Sequence, residues 1–411
     1  STTKGVGLNE GNISIAETSA DNKTLDGKKG FDQKNYKIDY ETGNLTINRR
    51  EITLKAEDQE KIYGNVLDLG STKFTVEDLD GGDLPNGEKI NAVRLSSYKG
   101  YSKSTTAGAR KYEDNISIVP TATGATTLTG SKGFDQENYD ISYETGHLTI
   151  NRREIILKAE DQEKIYGEEL DLGSTAFTVV DIEDGDSWLP NAESINSVIL
   201  LSKDGVDLSR SAGVRTYSEN IHIKPTAEGA ETISGSGNMS AVFNQKNYKI
   251  DYETGNLTIK QRTITLKAKD QEKIYGNVLD LGSTKFTVED LDGGDLPNGE
   301  VIDTVSLVSE NGVDVSTTKG VGLNEGNISI AETLTGSNGF DQKNYDVRYF
   351  SGDLTINRRA ITLTASDQEK IYGNVFELDG TKFTVKDLDG DGGWNKDSYV
   401  ATEGIYDFGK N

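Results

Sequence analysis

The chain has no cysteine, one methionine, five prolines, two histidines and two tryptophans in 411 residues, and its aromatics amount to 8%. Without cysteine there is neither a disulfide nor a thiolate nucleophile nor a thiolate metal site, a composition at home in bacterial export rather than in small exported eukaryotic domains. Basic residues are outnumbered 44 to 68 by acids, and the net charge of -24 argues against nucleic-acid backbones and anionic membrane surfaces as partners. Such acidity favours solubility, repulsion between chains and attraction for divalent cations. Long apolar runs are missing too. The longest, Val198-Ile-Leu-Leu201, is far too short to insert into a membrane. No leader segment is visible, and Ser1 falls in mid-repeat, so the chain reads as a fragment.

What is present is repetition. The stretch Leu45-Thr-Ile-Asn-Arg-Arg-Glu-Ile-Thr-Leu-Lys-Ala-Glu-Asp-Gln-Glu-Lys-Ile-Tyr-Gly64 returns, lightly edited, at Leu148–Gly167, Leu257–Gly276 and Leu354–Gly373. Tyr63, Tyr166, Tyr275 and Tyr372 are spaced by 103, 109 and 97 residues, and Tyr36, Tyr139, Tyr248 and Tyr345 repeat those intervals. Solenoid turns recur every ~20–50 residues, so a period near 100 indicates an array of small domains. Ser1–Thr18 matches Ser316–Thr333 letter for letter, and Asp58–Glu88 is identical to Asp270–Glu300. The expected division is residues 1–48 as the second half of a repeat, full repeats at 49–151, 152–260 and 261–357, and 358–411 as a first half. The terminal parts have 48 and 54 residues, together 102, which is one ordinary repeat.

Within a repeat the apolar residues alternate. Ile52, Leu54 and Ala56 face one way, Thr53 and Lys55 the other. Phe74/Val76, Val93/Leu95, Ile116/Ile118, Tyr139/Ile141/Tyr143 and Leu148/Ile150 keep the same period of two. Turn signals separate them at Asp80-Gly-Gly-Asp83, Asn86-Gly87 and Glu144-Thr-Gly-His147. Glu51–Tyr63 is rich in helix formers, yet its apolar positions lack helical spacing, so it reads as a strand followed by a polar turn. About seven short strands per repeat make an all-β chain: a tandem array of small Ig-like β-sandwich repeats forming an extended rod. Between Ile47 and Ile52 lies no Gly/Ser linker, so one repeat passes directly into the next and the rod should be stiff. At ~3.3 Å per strand residue each repeat would extend about 33 Å and four well over 100 Å.

The order of motifs carries a resemblance. A start of Ile-Thr-Leu-Lys-Ala…Ile-Tyr-Gly is followed by a central Gly-Asp/Asn-Gly segment and a Gly-x-Arg-x-Tyr strand at Gly108–Tyr112 and Gly213–Tyr217. The close is Asn-Tyr-x-Ile-x-Tyr…Gly-x-Leu-Thr-Ile. Over essentially the whole chain this resembles the MBG ("mostly β, glycine-rich") and YDG-type repeats of very large bacterial surface adhesins, including filamentous-haemagglutinin-like exoproteins. It departs where Gly64 is followed by Asn-Val-Leu-Asp rather than proline, and where Gly320-Val-Gly-Leu replaces Gly-x-Arg-x-Tyr. The resemblance implies a β-sandwich stalk element outside the cell, on a bacterial surface, with no catalytic residue.

The residues themselves point away from catalysis. His147 stands where other repeats have Asn44, Asn256 and Asp353, and His222 where they have Ser14, Ser117 and Ser329. A repeated domain that needed histidine would carry it in each copy, and no serine-elbow motif is present. The acidic turn is the best site candidate. It places Asp78, Asp80 and Asp83 in one repeat, Asp290, Asp292 and Asp295 in another, and Asp387, Asp389 and Asp391 before Gly392 in a third. Alternating carboxylates on a Gly-bent loop are the opening of a calcium loop, although Ser398 occupies the twelfth position, with Asp397 one short. Calcium is therefore the one cofactor these turns would take, against the plain reading of a solvated hairpin turn. Trp188 and Trp394 lie in or beside the same turns and could stack on a sugar ring, though such a tryptophan more often caps a core. The tyrosines at strand positions read as core or cross-strand residues, and the pairs Arg49-Arg50, Arg152-Arg153 and Arg358-Arg359 as clamps between domains.

Three functions follow as expectations. The first is a structural stalk of a surface adhesin, contacting neighbouring repeats and serving cell–cell or biofilm contact. The second is a fibre subunit that polymerises with copies of itself, the half at 358–411 of one completing the half at 1–48 of the next. The third is an array of carbohydrate-binding modules for surface glycans or other cells.

Overall fold

The computed structural model describes residues 2–16, 29, 31–120, 128–185, 187–225, 233–236, 243–378 and 382–389. The described residues are all-β: strands joined by loops and three-residue 3-10 turns, with no helix long and apolar enough to cross a membrane. The chain forms two compact units. One comprises Ser1–Lys158, Phe177–Ile199 and Lys224–Glu253; the other comprises Ala159–Ala176, Leu200–Ile223 and Thr254–Asn411.

The first unit opens with an antiparallel pair, β1 (Gly7–Ile13) and β2 (Gly43–Ile47). Nine strands follow over the repeat at 49–151: β3 (Arg50–Ala56), β4 (Gln59–Ile62), β5 (Phe74–Asp78), β6 (Lys89–Val93), β7 (Leu95–Ser97), β8 (Arg110–Ile118), β9 (Leu128–Ser131), β10 (Tyr139–Glu144) and β11 (Gly146–Asn151). One sheet has the order β10-β3-β5 and the other β4-β11-β8-β7, with β6 and β9 as a separate ribbon. β3 and β10 lie against β8, giving a sandwich-like body with Ile52, Leu54, Ile116, Leu148 and Ile150 buried between the sheets. The alternation expected at Ile52-Thr-Leu-Lys-Ala56 therefore sets the core, although Thr53 is covered as well.

This repeat has nine strands and the repeat at 261–357 has seven, and in both one strand stands where a turn is expected. The expected polar turn after Ala56 is a second strand, β4, because the first strand crosses from one sheet to the other at Glu57 and Asp58. Its polar Gln-Glu-Lys-Ile sequence hid this, since the residue that points inward is Lys61. β3 pairs parallel with β10, and β4 pairs parallel with β11. The last two strands cross between sheets at the same level, through Thr145. The two crossings touch: a Cβ on Gly146 would stand 2.5 Å from the Glu57 carbonyl oxygen, so only glycine fits. The Asp58 carboxylate accepts the His147 backbone N–H at 2.7 Å and ties the crossings together.

The second unit contains the same arrangement over 261–357. Arg262–Ala268 lies between Phe286–Asp290, antiparallel, and Tyr345–Phe350, parallel. Gln271–Ile274 pairs parallel with Gly352–Asn357. Here the strands corresponding to β8 and β9 are continuous as Gly322–Ser337, because the short stretch Ala331-Glu-Thr-Leu334 replaces the longer, proline-bearing connection after Ile118. Ile361–Ala365 and Phe383–Asp387 form a last antiparallel pair.

Candidate functional site

The junctions between successive repeats gather more buried charge than any other described part of the chain. β11 ends at Asn151 and the next strand, Arg153–Ala159, begins after Arg152 alone. Alternation puts Arg152 in solvent and Arg153 inside, where it is 1% exposed. Its Nε donates to Asp181 Oδ2 at 2.6 Å, and Nη2 donates to Asp184. Nη1 reaches back into the preceding repeat, to the Tyr63 carbonyl at 3.3 Å and Asn65 Oδ1 at 3.0 Å. Burial is the largest influence and pushes this guanidinium's pKa down, but the hydrogen bond to Asp181 and the charges of Asp181, Asp184 and Glu183 together outweigh it and the net shift is upward. At Arg152-Arg153 and Arg358-Arg359 the second arginine anchors on its own repeat and grips the tyrosine carbonyl of the one before.

Beside it sits a tyrosine–glutamate–tyrosine cluster. Tyr63 of the preceding repeat donates to Glu193 Oε1 at 2.5 Å, and Tyr248 donates to Glu193 Oε2 at 2.8 Å. The two rings meet edge-on with centroids 5.6 Å apart, and Glu193 is buried. Burial first, then the glutamate bond, raises the pKa of both phenols. Asn191, in a left-handed conformation, donates to the Thr105 carbonyl, and Asn247 Oδ1 accepts the Ala109 N–H at 2.9 Å. Gly64 closes the joint: its φ is +88°, and a Cβ there would lie 2.5 Å from Pro190 Cβ.

The second unit repeats the joint. Arg262 donates to Asp290 at 2.7 Å and to the Tyr166 carbonyl at 3.4 Å; Tyr166 and Tyr345 both donate to the buried Glu300. Burial and that carboxylate push the Tyr166 phenol up to about 12. Arg359 likewise bonds Asp387, the Tyr275 carbonyl and Asn277. Among the described residues no buried side-chain nitrogen or oxygen lacks a hydrogen-bond partner.

The acidic turns belong to this joint. Asp78 Oδ2 accepts from Arg50 Nε at 2.6 Å while its Oδ1 accepts the Asp80 N–H at 3.0 Å, and Asp290 and Asp387 do the same with Arg262 and Arg359. The second acid of the turn is also engaged. Asp80 faces Arg50 at 3.9 Å, Asp292 accepts the Thr263 N–H at 3.2 Å, and Asp389 accepts the Ala360 N–H at 2.5 Å. Asp83 and Asp295 are exposed, and Asp391 lies outside the described residues. No three acids or histidines among the described residues stand close enough to share a cation. The first carboxylate of each described turn is thus already engaged by an arginine. Trp188 is 78% exposed, while the neighbouring Leu189, like Leu84 and Leu296, is buried; Trp394 lies outside the described residues.

Two features escaped the sequence. Glu193 and Glu300 are single acids among 68, marked only by recurrence three residues after a proline, as in Pro190-Asn-Ala-Glu193. Lys61, Lys164 and Lys273 are buried, with no carboxylate among the described residues in ion-pair contact. The Lys164 ammonium donates to the carbonyls of Glu168, Val206, Asp207 and Ser209 at 2.6–3.1 Å, and desolvation lowers its pKa. His147 is a local substitution: its Nδ1 lies 3.1 Å from the Asp114 N–H, a donor that Asn256 Oδ1 accepts from Glu219 in the next repeat.

No family model matches the chain, and no curated protein does. Among solved structures, Drosophila N-cadherin EC1-4 aligns at 10% identity over 82% of this chain and 83% of its own, with a TM-score of 0.16. The Bacillus anthracis TIE protein aligns at 12% identity over 78% of this chain and 54% of its own, with a TM-score of 0.14. Likenesses at this level carry no argument about fold or function.

Proposed function

We propose that the chain is a structural spacer: a tandem array of Ig-like β-sandwich repeats of about 100 residues, forming a rod within a bacterial cell-surface adhesin. The observation that carries this reading is the recurrence of one buried joint. Arg153 with Glu193 and Arg262 with Glu300 tie consecutive repeats through the same atoms. Truncating one partner of such a buried pair costs about 3–5 kcal/mol, so a joint of this kind resists bending where a flexible linker would not. The repetition of a joint, rather than of a cleft, favours a mechanical role over catalysis. The MBG-like order of motifs supports display outside the cell.

Small-angle scattering tests it. A compact chain of this length has a radius of gyration of about 22 Å. A rod of four repeats, about 130 Å long at strand rise, has one near 38 Å. A monomer measured near 22 Å would refute the spacer reading.

A further inference from the structure

The strand β8 and its counterparts bulge against the last strand of their repeat. Tyr112 lies opposite Leu148 and Ile116 opposite Gly146, so residues 113–115 together face only His147. Tyr217 to Ile221 do the same against Leu257 and Gly255, and Asn324 to Ile328 against Leu354 and Gly352. The middle residue of each bulge is left-handed: φ is +48° at Asp114, +51° at Glu219 and +60° at Gly326. Its N–H donates to a side chain on the facing strand. Asn256 Oδ1 accepts from Glu219 at 3.1 Å and Asp353 Oδ1 from Gly326 at 2.7 Å. In the repeat at 49–151 the acceptor is His147 Nδ1, 3.1 Å from the Asp114 N–H.

That nitrogen has a second neighbour, since Glu113 Oε2 lies 2.7 Å away. A ring nitrogen accepts when bare and donates when protonated, never both at once. Bare Nδ1 satisfies the Asp114 N–H but meets the Glu113 carboxylate lone pair to lone pair. Protonated Nδ1 donates to Glu113 and leaves the Asp114 N–H without its acceptor. The other charges around the ring are fixed by neighbouring elements. On β8, Lys111 bridges Glu113 at 3.1 Å, and the Asp114 carboxylate accepts the Thr145 hydroxyl at 2.8 Å. Asp58, where β3 crosses into β4, holds the His147 N–H. Glu57 and the ion pair of Lys55 with Glu144, at 3.5 Å, line the same open groove.

We propose that His147 is a pH-operated catch on the β8 bulge. Histidine is the side chain that ordinarily changes charge between about pH 5 and 8. Among the described bulges only this one is held by a histidine; asparagine or aspartate stands at the others. While the ring is neutral, Nδ1 holds Asp114 in a backbone conformation that residues with a side chain avoid. Once the ring is protonated, Nδ1–H turns to Glu113 and the Asp114 N–H is released to water. The bulge then slackens in this repeat, while those at Glu219 and Gly326 stay held. All of these bonds lie inside one repeat, so the catch works whether or not the array is a spacer.

The test is solution NMR of the full 411-residue chain between about pH 8 and pH 5. At the alkaline end the ring nitrogens of His147 should report the proton on Nε2 and a bare Nδ1. The chain's other imidazole, His222, is assigned with His222→Ser, since serine stands at the equivalent positions 117 and 329. Water exchange of the Asp114 amide is then divided by that of the Glu219 amide, which cancels the common effect of pH on exchange. On acidification this ratio should rise about fivefold, the loss of one net hydrogen bond. His147→Asn supplies the same oxygen that Asn256 supplies in the next repeat, so it keeps the bulge and should hold the ratio constant. A neutral ring carrying its proton on Nδ1, a ratio that does not change with pH, or an equal rise in His147→Asn would each overturn the proposal.

Discussion

Replacing Arg153 with methionine removes the guanidinium that pairs with Asp181, a carboxylate with no exposed surface. Methionine fills much of the arginine stem's volume but leaves that charge uncompensated and strips donors from the Tyr63 carbonyl and Asn65. Breaking a buried pair in this way costs about 3–5 kcal/mol. Removing both charges, as Arg153→Met with Asp181→Leu, returns most of that loss, because an apolar pair of similar volume is close to neutral. At Arg50 the same substitution costs less, since that side chain is one-third exposed and water replaces it. The assay is urea unfolding followed by Trp188 fluorescence in a Trp394→Phe background. With a slope of roughly 2 kcal/mol/M, a loss near 4 kcal/mol moves the midpoint by about 2 M. If the double variant is as unstable as the single one, or Arg153→Met moves the midpoint by less than 0.5 M (about 1 kcal/mol), the joint is not built as described.

Two further outcomes follow from the same joint. Gly64→Ala and Gly70→Ala both place a side chain at positive φ, and each loses about 1–2 kcal/mol for that alone. Only at Gly64 does the new methyl meet Pro190, which adds about 1–3 kcal/mol; equal losses in calorimetry would show the contact is not made. Tyr166, raised to about 12 from the ordinary phenol value of 10.0, favours its neutral form in the folded state. Its contribution is therefore complete below pH ~10 and is lost as pH rises through about 12, because the unfolded chain gives up that proton first. Denaturant titrations across this window should show stability falling with pH, less steeply in Tyr166→Phe; identical slopes would remove Tyr166 from the linkage.

Much of the fold was legible because strand alternation reports burial directly. The period of two sets Ile52 and Leu54 on one face of their strand and Leu148 and Ile150 on one face of theirs, and all four are buried. The missed strand β4 shows where that logic fails: a lysine facing inward looks like a solvated residue until its carbonyl partners, some 40 residues away at Ser102 and Ser104, are known. The joint was half legible. Repetition marked the arginine pairs, the tyrosines and the acidic turns as separate features. That Asp181 belongs to Arg153, and Glu193 to Tyr63 and Tyr248, depends on separations of 28, 130 and 55 residues that only the three-dimensional arrangement supplies. That the first aspartate of the acidic turn accepts from an arginine 28 residues earlier is likewise invisible in the local sequence.

The parallel pairing of β4 with β11 bears on how such a repeat carries load. One strand lies near the start of the repeat and the other at its end, and they run side by side in the same direction through four paired residues, Gln59 with Leu148 to Ile62 with Asn151. Tension applied along the chain pulls these two strands past each other lengthwise. Their hydrogen bonds are then strained together in shear, instead of parting one after another as in a peeled hairpin.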